Sequence, residues 1–285
     1  MRPEPSKGHD VRMRSITDNL NYQATYAVTR TGGMRKPRSF VASSMLGGAF
    51  IGLADIFMIA AGGPLKAAHS PWAPLVNGAV FGIGLILCVF AGGELATSAM
   101  MTFTIGATRR TITWMKACWG LLFMLAGNLA GSIVLAGLVR GSGITKEGTD
   151  AGIALAMMIE SKGHYSATEL FFRGILCNVL VCLAIWCVTR TDNEISKIVA
   201  MAWCLAAFVG SGFEHVVANM TTFSLGIFQG VDGATLATAA HNLALVGLGN
   251  LVGGAVFVAG AYLAMRATED GGAQARAEQG LEVGH

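Results

Sequence analysis

Long apolar segments, each at least as long as a membrane is thick, dominate this sequence. They lie at about residues 40–62, 75–106, 112–139, 168–189, 197–228 and 240–265. A helix needs about 20 mostly apolar residues to cross the hydrocarbon core of a bilayer. Charged residues make up only 13% of the chain, whereas soluble proteins carry about a quarter. The sequence therefore predicts an all-α integral membrane protein with six transmembrane helices.

Two of these segments, the second and the fifth, are too long for one straight crossing and contain polar residues. The second includes GGELATS at 92–98, and the fifth includes GSGFEHVVAN at 210–219. Glycines beside polar residues allow a helix to unwind, and unwound backbone at membrane depth is tolerated only inside protein or beside water. We therefore predict that the second and fifth helices are interrupted.

A short motif occurs once in each half of the chain. Residues 125–137 read LAGNLAGSIVLAG and residues 248–260 read LGNLVGGAVFVAG, so Gly127-Asn128-Leu129 aligns with Gly249-Asn250-Leu251 at an offset of 122. A polar break precedes each copy at nearly the same distance. Because the offset corresponds to three crossings, the copies have opposite orientations. This pattern predicts an inverted 3+3 repeat of aquaporin-like plan, with a substrate site near the midplane.

The distribution of basic residues predicts the orientation and the domain boundaries. Fourteen lysines and arginines fall in the N-terminal arm and in the segments on its side, against four in the opposite loops. Basic residues concentrate on the cytoplasmic side of membrane proteins. We predict a cytoplasmic arm at 1–38, a transmembrane channel domain at 39–266 and a disordered cytoplasmic tail at 267–285, whose composition is poor in hydrophobic residues.

Ionisable residues within the apolar segments are candidates for a transport pathway, because a charge in hydrocarbon is costly. They are Asp55, Glu94, Glu169, Arg173, Glu214 and His215. Glu214 and His215 lie at the centre of the second break, where free N–H groups attract anions and a histidine can donate a hydrogen bond or change its charge. Glu94 lies in the first break, where we expect it to cap free N–H groups of the loop.

Four segments resemble the formate/nitrite transporter family. They read AGGELATSAM (91–100), GILCNVLVCLAIW (174–186), SGFEHVVANM (211–220) and HNLALVGLGNLVGGAVF (241–257). The match runs in order through both halves, over about residues 35–265. The resemblance implies a six-helix protomer, a homopentamer with one pore in each protomer, and no cofactor.

The same resemblance implies roles for particular residues. His215 corresponds to the central pore histidine, Glu214 is its neighbour, and Thr97 is the threonine of the first break that faces the histidine. Asn178 and Asn242 match asparagines near that histidine, and Lys162 matches a lysine that draws anions in. The implied constrictions are Phe81 and Phe208 on the periplasmic side and Leu85, Leu95 and Val181 on the cytoplasmic side. Ala96 departs from the family, which usually has a large aromatic residue there, and predicts a looser loop or a wider inner constriction.

The implied function is a channel for small monovalent anions of weak acids. We expect His215 to protonate the passing anion or to hydrogen-bond to it, since a bare anion in a dry constriction is costly. The segments FFRGILCNVLVCLAIW and AHNLALVGLGN are most similar to the nitrite branch, and His241 stands where formate-type members more often have aspartate. Nitrite is the first expectation, formate the second, and hydrosulfide a less favoured third.

Other classes fit the sequence less well. A haem protein could use His215 and His241 as ligands, but this sequence has no Cys-x-x-Cys-His motif. A hydrolase could use Ser211, but the motifs Gly-x-Ser-x-Gly and His-Glu-x-x-His are both absent. A water channel of this plan would have paired Asn-Pro-Ala loops, and this sequence has none. Since these motifs are missing, we expect no enzyme activity and no metal. The net charge of only +3 is too small to suggest a nucleic-acid partner. The expected partners are a small anion, the bilayer of the bacterial inner membrane and further copies of the chain.

Overall fold

The structure, a computed structural model, describes residues 13–266, and in that part of the chain all regular secondary structure is helical. The predicted disordered tail at 267–285 and the first twelve residues of the predicted arm lie outside the described residues.

The helices are, in chain order, α1 (Ile16–Gly32), α2 (Pro37–Ala67), α3 (Ala73–Phe81), α4 (Ile83–Phe90), α5 (Ala96–Thr108), α6 (Trp114–Ser142), α7 (Asp150–His164), α8 (Ala167–Arg190), α9 (Glu194–Gly210), α10 (Val216–Gln229) and α11 (Leu236–Val252). A 3-10 turn (Gly33–Arg35) joins α1 to α2, and a π-helical segment (Gly253–Gly260) continues α11 towards Arg266.

Five stretches of the described chain are long and apolar enough to cross a membrane. They are α2, α3 together with α4, α6, α8, and α11 with its continuation. The segment predicted as the fifth, interrupted crossing, 197–228, is divided between α9 and α10, of 17 and 14 residues. The predicted breaks are present, since residues 91–95 separate α4 from α5 and residues 211–215 separate α9 from α10.

The region predicted as a long polar connection, 140–167, contains the unpredicted helix α7. Thr149 begins it by accepting a hydrogen bond from the Gly152 amide. Its apolar face, which includes Leu155 and Ile159, packs in one cluster with residues of α2, α6 and α10. Hydropathy alone missed α7 because its apolar run, AGIALAMMI at 151–159, is much shorter than a membrane crossing and is flanked by polar residues.

Small residues let the long helices approach closely, and the same arrangement occurs twice. A Cβ atom on Gly131 of α6 would lie 1.9 Å from the carbonyl oxygen of Met45 on α2. In the second half, a Cβ atom on Gly253 would lie 2.4 Å from the carbonyl oxygen of Ile175 on α8. Such approaches drive helix packing in membranes, where apolar burial alone gives no preference for protein over lipid.

Helix α1, in the predicted arm, docks on the bundle through a polar face. Its buried polar residues Asn19, Gln23 and Arg30 point at α5, α8 and the first break. The Gln23 amide donates to the Thr189 hydroxyl of α8, and its oxygen accepts from the Thr102 hydroxyl of α5. Since these contacts are polar, the hydropathy of the arm gave no sign that it would join the core.

Arg30 forms the tightest contact between α1 and the first break. Its guanidinium is 4% exposed and pairs with the Glu94 carboxylate at 2.6 Å. It also donates to the carbonyl oxygen of Leu95 at 3.1 Å. The Glu94 side chain therefore pairs with an arginine rather than capping loop N–H groups as predicted, and α1 holds the loop that carries Leu95.

We expect Gly131→Ala to destabilise the protein by about 1–3 kcal/mol, because the backbone oxygen it meets cannot move aside. Thermal unfolding in detergent, followed by the loss of the size-exclusion peak, measures this. Gly137→Ala is the matched control on the same helix, since its Cβ would meet only Phe228 at 3.9 Å. Equal loss of stability in both variants would contradict the close-approach explanation.

We expect Arg30→Met to lower the unfolding temperature more than the double variant Arg30→Met/Glu94→Gln. Removing one partner of a buried pair leaves the other charge uncompensated, whereas removing both charges does not. Thermal unfolding of the two single variants and the double variant gives the coupling energy. Additive losses would show that the ion pair is not what holds α1 to the loop.

Candidate functional site

The first break is held by one buried asparagine, Asn128 of α6. Its Nδ2 donates to the carbonyl oxygens of Ser44 at 2.7 Å and Glu94 at 2.8 Å. Its Oδ1 accepts from the Ala96 amide at 3.0 Å, the first residue of α5. One side chain thus satisfies a carbonyl within the break, the first amide after it and a carbonyl of α2, as buried backbone groups require.

The second break is held in the same way by Asn250 of α11. Its Nδ2 donates to the carbonyl oxygens of Gly174 at 2.7 Å and Glu214 at 3.0 Å, and its Oδ1 accepts from the Val216 amide at 2.9 Å. Asn250 is the residue that the sequence motif aligned with Asn128. The repeated motif therefore marks the two residues that stabilise the interruptions.

The breaks bring Thr97 and His215 together, as the family resemblance implied. Thr97 lies in the first turn of α5 and His215 is the N-cap of α10. The Thr97 Oγ1 atom and the His215 Nε2 atom are 3.0 Å apart. Both side chains are buried, and they are 118 residues apart in the sequence. This contact is where the two halves of the chain meet.

The N-cap role of His215 fixes where its ring carries a proton. Its Nδ1 accepts a hydrogen bond from the Ala218 amide at 3.2 Å. A nitrogen that accepts has no proton, so the neutral ring carries its hydrogen on Nε2. That hydrogen points at Thr97 Oγ1, which leaves the threonine hydroxyl hydrogen available to a second acceptor. Protonating the ring fully would break the cap.

The five residues predicted as constrictions are all buried and belong to one apolar cluster: Phe81, Leu85, Leu95, Val181 and Phe208. The Phe81 and Phe208 rings contact edge to face, with centroids 5.4 Å apart. The Phe208 ring lies nearly parallel to the His215 imidazole at 5.9 Å. The histidine therefore has an aromatic wall on one side and polar partners on the other.

Two cavities approach this region. The first, called here the Lys162 cavity, has a volume of about 190 Å³ and is lined by Lys162, Phe81, Phe208 and His215 among others. The second, the Arg30 cavity, has a volume of about 330 Å³ and is lined by Arg30, Leu85 and Leu95 among others. The predicted aromatic pair thus lies at one cavity, and two of the predicted aliphatic residues lie at the other.

Lys162 is placed differently from a free cation that attracts anions. Its side chain is 10% exposed and its Nζ donates to both Glu214 carboxylate oxygens, at 2.8 and 2.7 Å. Nζ also donates to Asn219 Oδ1 at 2.8 Å, and Asn219 Nδ2 donates to Glu214 at 2.6 Å. The ammonium is held in a polar network of the cavity wall, with its charge matched by Glu214.

The two predicted asparagines take different positions. Asn178 Nδ2 donates to the carbonyl oxygens of Thr97 and Asn250, so it braces the loop beside the histidine. Asn242 Oδ1 accepts from Asn219 at 2.7 Å, and its buried Nδ2 has no hydrogen-bond partner among residues 13–266. In the same part of the chain, no three His, Cys, Asp or Glu side chains are grouped so that they could hold a metal ion.

Ala96 packs against α1. Its side chain is fully buried in an apolar cluster with Ala27, Phe103 and Met124. Its amide is bound by Asn128, and the preceding Leu95 carbonyl is bound by Arg30. In this structure α1 thus covers the position where the family usually has an aromatic residue, and the looser loop and the wider constriction stay predictions.

Sequence reasoning missed two residues of the site, Asn219 and Arg30. Asn219 joins Lys162, Glu214 and Asn242 into one network. It lies within the run SGFEHVVANM, so the motif was visible but the contact was not. Arg30 had no signal beyond its place on the polar face of α1.

The sequence model of the formate/nitrite transporter family matches residues 17–264. The nitrite transporter NirC of Salmonella typhimurium is 41% identical over 251 residues, which cover 87% of this chain and 91% of that protein. A solved structure described as an FNT family ion channel has a TM-score of 0.82 and 39% identity, covering 87% of this chain and 99% of that one. A pentameric formate channel with formate bound has a TM-score of 0.70 and 28% identity, covering 82% and 98%. The relatives are transporters and channels, and the chain is accordingly a multi-pass membrane protein that belongs to the formate/nitrite transporter family.

Proposed function

We propose that the chain is a channel for small monovalent anions of weak acids, with nitrite as its principal substrate. The observation that carries this proposal is the contact between Thr97 and His215. It joins two helix breaks, and two of the proposed constriction residues line each cavity, Phe81 and Phe208 the Lys162 cavity and Leu85 and Leu95 the Arg30 cavity. An anion that passes between the cavities meets these two polar side chains in an otherwise apolar wall.

The proposed architecture has six crossings in an inverted 3+3 repeat. In this reading α9 and α10 together form the fifth crossing, as α3, α4 and α5 form the second. Support comes from Asn128 and Asn250, which make the same three kinds of hydrogen bond at the two breaks. Helix α7 then belongs to the connection between the halves.

We assign His215 the role of a hydrogen-bond donor rather than a proton donor. Its Nδ1 is used by the Ala218 amide, so only Nε2–H can point towards the pathway. An anion replacing Thr97 at Nε2 receives that hydrogen bond, and the threonine hydroxyl supplies a second. Hydrogen bonds to a charged acceptor are about twice as strong as neutral ones, which offsets part of the lost hydration.

The choice of nitrite rests on similarity. The relative that is 41% identical is a nitrite transporter, which favours nitrite, while formate is the alternative because one similar structure is a formate channel with formate bound. Hydrosulfide is the less favoured third. His241, which differs from the aspartate of formate-type members, is exposed and lines neither cavity. His241 therefore makes no contact with either cavity through which it could select between nitrite and formate.

The proposed assembly is a homopentamer in the bacterial inner membrane, with both termini in the cytoplasm. The basic arm supports this orientation, which puts the Arg30 cavity on the cytoplasmic side and the Lys162 cavity on the periplasmic side. The proposed boundaries are an arm at 1–38, a channel domain at 39–266 and a cytoplasmic tail at 267–285. The pentamer is inferred from the similar formate channel.

We expect purified protein in liposomes to conduct nitrite faster than formate and hydrosulfide at equal concentration and pH. The measurement is substrate-resolved uptake, with protein-free liposomes as the control for neutral acids that cross lipid unaided. Faster formate flux would show that formate, the alternative, is the principal substrate. Absence of flux for all three anions would overturn the proposed function.

We expect His215→Asn to lower nitrite flux at least tenfold while leaving the shape of its pH dependence unchanged. Asparagine is a good N-cap, so α10 keeps its start while the Nε2 donor is lost. Uptake between pH 6 and 8 tests both parts. If the variant instead loses the pH dependence, His215 transfers a proton to the anion and the hydrogen-bond assignment is wrong.

A further inference from the structure

Asp55 is a buried carboxyl group in the wall of the Lys162 cavity that the proposed mechanism does not use. It lies midway along α2 and is 1% exposed. The Thr222 hydroxyl of α10 donates to its Oδ2 at 2.7 Å. Within residues 13–266, its Oδ1 accepts no hydrogen bond and neither oxygen forms an ion pair. One oxygen of this carboxyl group is therefore left to the cavity.

In the described part of the chain, the charged residues that act on Asp55 are Lys162, Lys66 and Glu214. Lys66 lies at the end of α2, and all three line the same cavity. The positive charge of Lys162 is paired with the Glu214 carboxylate, because its ammonium contacts both carboxylate oxygens. When both carboxylates are ionised, the two negative charges balance the two lysines and the wall carries no net charge.

The other groups around the cavity do not change this balance. His215 is neutral while it caps α10, and Tyr165 is an uncharged phenol. Arg173 of α8 does not line the cavity itself; its guanidinium lies 4.0 Å from the Tyr165 ring and donates to the Gly212 carbonyl oxygen. Its positive charge is constant, so it does not alter the change in charge that a proton on Asp55 makes. The residues that α3 and α10 contribute to the wall, which include Asn77 and Asn219, are uncharged.

We propose that Asp55 is a proton-binding site that controls how readily an anion enters the Lys162 cavity. A proton taken from cavity water onto Oδ1 changes the net charge of the four wall groups from zero to +1. A monovalent anion then restores the balance on entering. The proton stays on Asp55, and no bond to the anion is formed or broken. This inference rests on the proposed anion-channel function.

The geometry makes this role different from a simple structural one. If Asp55 served only to join α2 to α10, its contribution would depend on the hydrogen bond from Thr222. If it acts through charge, removing that bond while keeping the carboxylate leaves the effect in place. Thr222→Val therefore separates the two roles.

The test is nitrite uptake into liposomes holding the full chain, with both sides at the same pH, between pH 6 and 8. In the unmodified protein we expect the nitrite concentration for half-maximal flux to fall as the pH falls. In Asp55→Asn, which is close in shape, we expect this concentration to be independent of pH. At pH 8 it should be roughly three- to tenfold lower than in the unmodified protein, for one charge removed at close range.

Two controls accompany the variant. Thr222→Val should keep the pH dependence, and Glu160→Gln, which removes an exposed negative charge of α7 outside this cavity, should do the same. Size exclusion and thermal unfolding show whether each variant is folded.

Several results would overturn the inference. They are an unmodified protein whose half-maximal concentration does not change with pH, an Asp55→Asn variant with the unmodified profile, and a Thr222→Val variant that reproduces the loss. These results require measurable nitrite flux. Absence of flux in the unmodified protein would overturn the proposed function, and this inference with it.

Discussion

Unwound backbone within a membrane protein must find hydrogen-bond partners inside the protein, and two asparagines meet this requirement here. Asn128 and Asn250 each bind a carbonyl group within a break, the first amide after it and a carbonyl of a neighbouring helix. Without them the breaks would leave buried N–H and C=O groups unpaired, at a cost of several kcal/mol for each group. The proposed pathway depends on these bonds, because only the breaks bring Thr97 and His215 into contact.

Charge within the bundle follows a second constraint, that each buried charge has a partner. Arg30 pairs with Glu94 near the first break, and Lys162 pairs with Glu214 near the second. Each pair joins a break to a helix outside the two long interrupted segments, α1 in one case and α7 in the other. The pairs thereby fix the loops whose next residues, Leu95 and His215, line the two cavities. Among residues 13–266, Asp55 is the exception, since its partner there is the Thr222 hydroxyl and not a charged group.

The sequence motifs predicted the centre of the site more accurately than its surroundings. Thr97 and His215 were expected to face each other, and they do so at 3.0 Å. Lys162 was expected to attract anions, but its depth and its contact with Glu214 were not visible in a sequence spacing. Ala96 was expected to loosen its loop, yet α1 covers that position. In both cases the deciding neighbour comes from a distant part of the chain.

The sequence by itself determined that this chain is a helical membrane protein, where its helices break and which motif recurs. Hydropathy, glycine content and an aligned Gly-Asn-Leu pair are local properties, so they can be read along the chain. Only the tertiary structure decided which polar groups neutralise one another. The docking of α1, the presence of α7 and the open oxygen of Asp55 depend on contacts between segments far apart in sequence. Such contacts are selected by hydrogen bonding and charge pairing in a dry interior, and polar residues outside apolar runs give no periodic signal of them.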